Sequence, residues 1–329
     1  MNAAKRACTL AAFLLASIGH APVIAQDADR YPSRPVTLVV SYAAGGPADI
    51  IARQLATGLG QIWKQPVVVE NRAGASGLLA LGHLAQARAD GYTLGLMVSP
   101  VTAIAPLTQP SFKYDVTKDF TAVADLVDYS LVMLVGPQVK ATSVADIIAA
   151  AKVRPGSISY GSSGVGGTNH LAGELLSRAA GVEMLHVPYK GNAPAVNAVM
   201  SGEVTFAFAQ QDSALAFAQP GSRLTPIAVA ASTRLKVLPE VPTLAESGLT
   251  GMEIGGWTGV LGPANLPPEV LKKIVEGIEQ VKRTPEFRAR MDAMGFPITP
   301  TSSTAFANRI RTERDFWRKK ITDGKIALE

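Results

Sequence analysis

Two glycine-rich turns carry the residues best suited to chemistry. The stretch Val39-Val40-Ser41-Tyr42-Ala43-Ala44-Gly45-Gly46-Pro47-Ala48-Asp49-Ile50-Ile51-Ala52-Arg53 reads as a strand, a glycine turn and a helix start. Such a turn leaves free backbone N–H groups at a helix N-terminus, where they can hold an anion. Gly45 and Gly46 permit positive φ and close backbone approach. Pro47 suits the first helical position, because its missing N–H would be unpaired there in any case. Asp49 then lies near the third helical position. It is either a brace that reaches back to the turn, as the acidic member of a capping box does, or a ligand contact. Tyr42 follows the strand end and either walls a pocket or packs.

The second turn is Tyr160-Gly161-Ser162-Ser163-Gly164-Val165-Gly166-Gly167-Thr168-Asn169-His170. Ser162, Ser163, Gly164, Gly166, Gly167 and Thr168 are small, and each can donate from backbone or hydroxyl. A helix from Thr168 to Ala180 is predicted to begin there with Thr168 as its N-cap. His170 reads as a packed or capping histidine rather than a base. Two backbone anion sites far apart in the chain point to capture of a carboxylate rather than to catalysis.

The motifs of other chemistries are missing. No Gly-Lys-Ser/Thr follows the second turn, as a phosphate loop requires, and Asn169 stands where a dinucleotide fingerprint needs its third glycine. Gly161-Ser162-Ser163-Gly164 lacks the Gly-x-Ser-x-Gly spacing of a nucleophile elbow. No His-Glu-x-x-His occurs, and His83, His170 and His186 are far apart in sequence. No catalytic residue, metal ligand or cofactor is therefore assigned.

The elements that must position these turns follow from periodicity. Val36 to Val40 is a short β-branched run, Pro47 to Leu59 has helical spacing, Val67 to Glu70 is extended, Leu78 to Ala87 is helical and Tyr92 to Val98 is extended. This alternation predicts a mainly parallel sheet wrapped by helices, an α/β architecture. A loop spans Ala105 to Asp119, and extended segments cover Thr121 to Val127 and Ser130 to Val135. A second alternating unit starts at Ser143, a predicted N-cap for the helix Val144 to Lys152. It runs on as strand Ile158 to Tyr160, helix Thr168 to Ala180, strand Met184 to Val187, helix Ala193 to Met200, strand Val204 to Phe208, a short helix near Ser213 and strand Leu224 to Ala230. Ile254 to Leu261 is extended. Beyond Pro267 the pattern is helical: Pro268 to Lys282, Pro285 to Met294 and Ser303 to Thr322.

Two α/β domains result, one from 26–128 with 253–329 and one from 129–252, with strands crossing between them near Asp128 to Val135 and Met252 to Leu261. Ser99, Tyr189, Gln210 and Trp257 are candidate lining residues of the cleft.

Lys5 and Arg6 precede an apolar run from Ala7 to Ile18 and then small residues to Ala25, the layout of a secretory signal peptide over residues 1–25. Cleavage is expected after Ala25, or alternatively after Ala21, and the location expected is the periplasm. The single cysteine, Cys8, would leave with that segment. The mature chain then has no disulfide, thiol nucleophile or cysteine-held metal. The formal charge of +5 falls to about +3 once Lys5 and Arg6 are gone, too little to argue for nucleic acid. The mixed charges from Arg309 to Lys320 are expected on a solvated helix face.

With these segments placed, the chain resembles the Bug-type periplasmic solute receptors, the binding components of tripartite tricarboxylate transporters. The resemblance runs from about Tyr31 to the C-terminus. It rests on Tyr-Pro-Ser-Arg-Pro-Val at 31–36, Ala-Ala-Gly-Gly-Pro-Ala-Asp-Ile-Ile-Ala-Arg at 43–53 and Val-Glu-Asn-Arg-Ala-Gly-Ala-Ser-Gly at 69–77. Further matches are Ala-Asp-Gly-Tyr-Thr-Leu at 89–94, Gly-Gly-Thr-Asn-His-Leu-Ala-Gly-Glu-Leu at 166–175, Val-Pro-Tyr-Lys-Gly at 187–191 and Pro-Glu-Val-Pro-Thr-Leu-Ala-Glu-Ser-Gly at 239–248. The ordered set is specific.

The resemblance implies a two-domain, hinged, type II-like periplasmic binding fold and a small organic acid as ligand, held largely by backbone N–H groups and waters. The family pattern carries over onto Tyr42, Gly45, Gly46 and Asp49 in the first turn and onto Ser162, Ser163, Gly166, Gly167, Thr168 and His170 in the second. It also implies delivery by a monomeric receptor to membrane permease subunits. The alternatives are an extracytoplasmic sensor serving a membrane histidine kinase and, third, a periplasmic enzyme acting on a carboxylate. In one place the chain departs from many relatives: Ala209 stands where they carry an acid, with Gln210, Gln211 and Asp212 following. If that acid holds a ligand amine in the relatives, the departure points toward ligands without one, the alternative being that Gln210 or Asp212 takes its place through a shift of register.

Overall fold

The structure is a computed structural model and describes residues 30–109, 111–219, 221–299 and 302–323. The expected signal segment over 1–25 lies outside the described residues. β1 (Val36–Val40) is followed by α1 (Pro47–Trp63), β2 (Val67–Asn71), α2 (Leu78–Ala85) and β3 (Thr93–Val98). β1 pairs in parallel with β2 on one side and β3 on the other. Val36, Leu38, Val39 and Val40 are all buried, as a β-branched strand covered on both faces should be. α1 lays Ile51, Leu55 and Leu59 against that sheet and ends at Lys64, which takes the left-handed conformation at φ 56°.

The loop predicted over Ala105 to Asp119 is non-helical in its described residues after Thr108, but it is entered through helical turns. A π-helical turn at Pro100–Ile104 runs into the short α3 (Ala105–Thr108). All five residues of the π turn are buried. The two extended segments expected next are one strand, β4 (Phe120–Val135), of 16 residues. Its middle is continuous because Asp128, Tyr129 and Ser130 pair with Trp257, Gly256 and Gly255 of β9 (Gly255–Pro263).

The second unit contains α4 (Val144–Val153), β5 (Ser159–Ser162), α5 (Thr168–Ala180), β6 (Leu185–Pro188), α6 (Asn192–Ser201), β7 (Phe206–Gln210), α7 (Gln211–Leu215) and β8 (Thr225–Val229). Ser143 caps α4 with a reciprocal capping box to Asp146, as its sequence predicts. β5 pairs in parallel with β6 and β7, and β7 and β8 are antiparallel to the last third of β4.

The strand path is therefore β2-β1-β3-β9-β4-β7-β5-β6, with β8 beside β4. The outer strands are parallel, and the antiparallel pairs gather at β4 and β9. β4 belongs to both halves: residues 120–130 pair with β9, and 131–135 with β7. Register shifts between Ala122 and Ala124 and between Asp125 and Val127 break its ladder, and such irregularities bend a strand.

The C-terminal helices α8 (Pro268–Arg283), α9 (Pro285–Ala293) and α10 (Ser303–Asp323) close the first half. α8 packs on α1, and Gly58 leaves no room for a side chain beside Val281. α10 is less solvated than its mixed charges suggest. Phe306, Ile310 and Trp317 are buried, and Phe306 meets Trp257 edge to face at 4.7 Å. Arg309 binds Asp125 at 2.6 Å and Asp128 at 2.7 Å. Asp125 is fully buried, and burial pushes its carboxyl up to about 6 even though Arg309 pulls the other way.

Candidate functional site

A cavity of about 320 Å³ opens between the two halves of the sheet. Its wall contains Tyr42 to Ala48 from the first turn, Val98 from the end of β3, Pro100 from the π turn that follows it, and Tyr129 and Leu131 from the shared strand. The second unit supplies Ser163, Thr168 and Asn169, then Lys190 to Pro194, then Gln210. Much of this surface is alanine, proline, valine and leucine, with few polar groups set into it, the usual make-up of a small-molecule site.

The first turn presents backbone. Gly46 is the N-cap of α1 and Pro47 its first residue. Gly45 holds φ 86°, and a Cβ there would meet nothing, so its need for glycine is conformational rather than steric. Asp49 does not reach the cavity wall. Its Oδ2 accepts from the Gly45 N–H at 3.0 Å and from Arg53 Nε at 2.9 Å, and its Oδ1 accepts from Asn71 Nδ2 at 3.0 Å. Burial raises the Asp49 pKa, but these three bonds outweigh it and hold the carboxyl below its usual range. Asp49 thus braces the turn, and Asn71 also ties it down by donating to the Tyr42 carbonyl at 3.0 Å.

The second turn divides into an inner and an outer set. Ser163, Thr168 and Asn169 face the cavity. Gly167, not Thr168, is the N-cap of α5, and Thr168 is its first helical residue. That shift of one position turns Thr168 Oγ1 away from capping, and it lies 3.4 Å from the Tyr129 hydroxyl. Ser162, Gly166, Gly167 and His170 lie behind the wall. The Gly166 N–H donates to His170 Nδ1 at 3.1 Å and the Gly167 N–H to the Gly164 carbonyl at 3.2 Å. The Ser162 hydroxyl is fully buried, 2.6 Å from His186 Nε2.

Two of the three histidines downstream of the expected cleavage site therefore converge, which their sequence separation conceals. His170 and His186 stack with centroids 3.9 Å apart, and Tyr160 stacks on His186 at 5.0 Å. Burial pushes both imidazoles down to about 4, and at His186 the neighbouring His170 adds to the effect. Ser162 and His186 have the spacing of a nucleophile and base. The serine, however, does not line the cavity, and it also bonds within its own turn, accepting from the Gly164 N–H at 3.1 Å. The pair supports the loop from behind.

Ser99 is fully buried beneath the cavity, 3.5 Å from the Tyr129 hydroxyl. It also faces Glu313 of α10. Burial pushes the Glu313 carboxyl up to about 7, against the pull of Ser99, Arg309 and the indole N–H groups of Trp257 and Trp317. Tyr129 is pushed up to about 12, chiefly by burial, and Tyr42 is raised by burial and by Tyr129, so both enter the site as neutral hydroxyls. Gln210 does line the cavity, because β7 runs two residues later than its apolar pattern suggests and brings Gln210 to its C-terminal end. Tyr189 instead turns its hydroxyl to Glu203 at 2.8 Å, and Trp257 is fully buried.

Sequence reasoning missed Tyr129, Leu131 and the whole Lys190–Pro194 segment. The signal for the last was present: Gly191 at φ 132° is the N-cap of α6, a third glycine-led helix start. The halves also touch outside the cavity, where Ser76 Oγ donates to the Val165 carbonyl at 3.1 Å. Among the described residues no group of three or more His, Cys, Asp or Glu is placed to hold a metal ion, and no helix is long and apolar enough to cross a membrane.

The family described as tripartite tricarboxylate transporter family receptor matches residues 51–324. Protein BugT of Bordetella pertussis is 33% identical over 310 residues, covering 93% of this chain and 94% of BugT. Among solved structures, R. palustris Rpa4515 with adipate superposes with a TM-score of 0.86 at 31% identity, covering 90% of this chain and 99% of that one. Periplasmic binding protein BugD superposes with a TM-score of 0.84 at 30% identity, again over 90% of this chain and 99% of that one. The sheet path and the cavity between its halves accordingly belong to the two-domain periplasmic-binding-protein fold, and the chain is a member of the tripartite tricarboxylate transporter receptor family, of the Bug type.

Proposed function

We propose that the protein is a monomeric periplasmic receptor that captures a small organic carboxylate in this cavity and delivers it to the membrane permease of a tripartite tricarboxylate transporter. The observation that carries this reading is the convergence of two helix starts, Gly46-Pro47-Ala48 and Thr168-Asn169, on one cavity. Unpaired N–H groups and the positive end of each helix dipole favour an anion there. In this reading Tyr42, Gly45, Gly46, Ser163, Thr168 and Gln210 contact the ligand. Asp49, Ser99, Ser162, Gly166, Gly167 and His170 hold the contacting groups in place. The moving bodies are 26–128 with 253–329 and 129–252, hinged where β4 and β9 cross, and the ligand stabilises the closed form by touching both. Export is accompanied by cleavage after Ala25. The structure of Rpa4515 with adipate supports a carboxylate as the ligand class.

Ligand-stripped, refolded protein screened by thermal shift against dicarboxylates, citrate, acidic amino acids and aromatic carboxylates tests the reading. Binding to the native state alone adds about 2.7 kcal/mol at a hundredfold excess over Kd, a visible rise in Tm. The acid that raises Tm should be recovered chemically unchanged after incubation. A flat response to every acid from folded protein sinks the carboxylate reading.

A further inference from the structure

α10 turns one carboxyl group into the protein. Phe306, Ile310 and Trp317 form its buried stripe, and Glu313 falls on the same face, one turn from Ile310 and one from Trp317. The Glu313 carboxyl faces Ser99 and the indole N–H groups of Trp257 and Trp317. Both indoles are buried, and neither N–H has another partner. Among the described residues no cation forms an ion pair with Glu313. Arg309, one turn earlier, is spent on Asp125 and Asp128 of β4, and Arg314 lies 3.9 Å from Asp315. Lys282 of α8 stays beyond Asp125, donating to its carbonyl at 3.2 Å. The π turn packed against α10 brings no charged side chain, and from β4 the titratable group that faces Glu313 is Tyr129.

From Ser99 a row of hydroxyls leads to the cavity. Ser99 Oγ is 3.5 Å from the Tyr129 hydroxyl, which is 3.4 Å from Thr168 Oγ1. Tyr129 and Thr168 are both on the wall. Each hydroxyl has a single proton to donate, so the group at the inner end sets the direction of the row. An ionised Glu313 accepts from Ser99, Ser99 from Tyr129, and Tyr129 from Thr168. Thr168 then offers the cavity only an acceptor. A protonated Glu313 donates to Ser99, every bond in the row reverses, and the Thr168 proton is free to point into the cavity.

We infer that Glu313 is a positioning residue whose proton sets the direction of the Ser99–Tyr129–Thr168 row, so that the protein takes up a proton at Glu313 when an anion enters the cavity. The inference rests on the carboxylate-receptor reading above and adds the way the site is switched. Repulsion through space acts with the same sign, because an anion beyond Tyr129 disfavours the ionised form of Glu313. Burial already pushes this carboxyl up to about 7, which places the switch near neutrality. The complex holds the proton more tightly than the free protein does. The gain in affinity is therefore fully present below about pH 7 and is lost as pH rises through the higher value of the complex.

Isothermal titration of the mature chain with succinate, adipate, glutamate and benzoate tests the inference. Each is titrated between about pH 6.5 and 8.5, where its carboxylates stay ionised, in buffers of different ionisation enthalpy. The acid that binds should bring uptake of about half a proton near pH 7.5, and its affinity should fall by about 5-fold across the interval. Glu313→Gln keeps a neutral donor beside Ser99. It should abolish the uptake and hold affinity within about 2-fold over the same interval. Ser99→Ala retains the carboxyl and breaks the row, and it should reduce the pH dependence to about 2-fold or less. The inference is overturned if the parent binds without proton uptake, if uptake persists in Glu313→Gln and so belongs to Asp125, or if Ser99→Ala keeps the full pH dependence. Should Glu313→Gln fail to fold, the uptake by the parent and its loss in Ser99→Ala still decide the matter. Failure of every carboxylate to bind folded protein is a different result, which overturns the receptor reading as well.

Discussion

The Tyr129 hydroxyl lies 3.4 Å from Thr168 Oγ1. Tyr129 is on the strand common to both halves of the sheet, and Thr168 is the first residue of the helix that opens onto the cavity from the second half. A hydroxyl pair at this spacing is weak in itself, yet it joins the floor of the site to one of its two helix starts. Gly256 makes the approach possible: a Cβ there would strike both Ser99 Oγ and the Tyr129 hydroxyl.

Tyr129→Phe should therefore separate binding from folding. It removes one hydroxyl and leaves the ring, so unfolding by denaturant should change by no more than about 1 kcal/mol. The affinity for the bound acid should fall by about 2- to 5-fold, the lower part of the range for one buried hydrogen bond, because the contact is long. Equal affinities for parent and variant would show that the hydroxyl does not orient Thr168 for the ligand.

Ser76→Ala addresses closure. The Ser76 hydroxyl reaches the Val165 carbonyl of the second turn from the first half, away from the cavity wall. If this bond exists only when the halves are together, its loss should weaken binding by about 2- to 10-fold and appear mainly as faster release. Stopped-flow dissociation rates check this, and an unchanged release rate would show that the bond persists in the open form.

The helices and the parallel strands were legible because each carries its own local signal. Pro47 after Gly46 marks the start of α1, and Thr168–Ala180 is helical with the bounds its spacing predicts. The shared strand was not legible as one element, because Asp128 and Ser130 interrupt its apolar run. Pairing with Trp257 and Gly255 decides its continuity, and that partner lies far along the chain. The same reason hid the stacked His170 and His186, and hid Tyr129 as the floor of the site. In the second turn, composition alone could not sort donors that face the cavity from donors spent within the turn. Gly166 is spent on His170 and Gly167 on Gly164, while Ser163 and Thr168 remain on the wall, the Ser163 hydroxyl donating to Asn169 Oδ1 at 2.9 Å.

Asp49→Ala should lower stability and binding together. The substitution leaves the Gly45 N–H and the Asn71 amide without their acceptor, at a cost of about 1–3 kcal/mol. Asp49→Asn should recover part of it, since a carboxamide oxygen can still accept from Gly45. Its folded pKa is lowered, so the contribution of Asp49 is fully present above about pH 4 and is lost as pH falls through the folded value. Denaturation of parent and Asp49→Asn should converge in strong acid. A constant gap from neutrality downward would show that the charge of Asp49 is not what braces the turn.

The stacked histidines act with the same sign in a higher window. Burial lowers both His170 and His186 from 6.5 to about 4. A histidine lowered in the folded state binds protons more readily when unfolded. Its contribution is therefore fully present above the unfolded value and declines as pH falls from 6.5 toward 4. Asp125 and Asp212, raised to about 6, and Glu313, raised to about 7, act with the reverse sign, favouring the folded state as pH falls. The overall pH profile thus mixes both, and a difference measurement isolates the histidines. With a discount for the solvent that reaches the half-buried His186, the stability gap between the parent and His186→Gln should narrow by about 1–2 kcal/mol between neutral pH and about pH 4.5. The imidazole carbon resonances of both residues should move by no more than about a quarter of the full titration shift over the same interval. A titration of either near its ordinary value would mean that the stack opens to water, and the second turn would then lose the rigid backing that keeps Ser163 and Thr168 on the cavity wall.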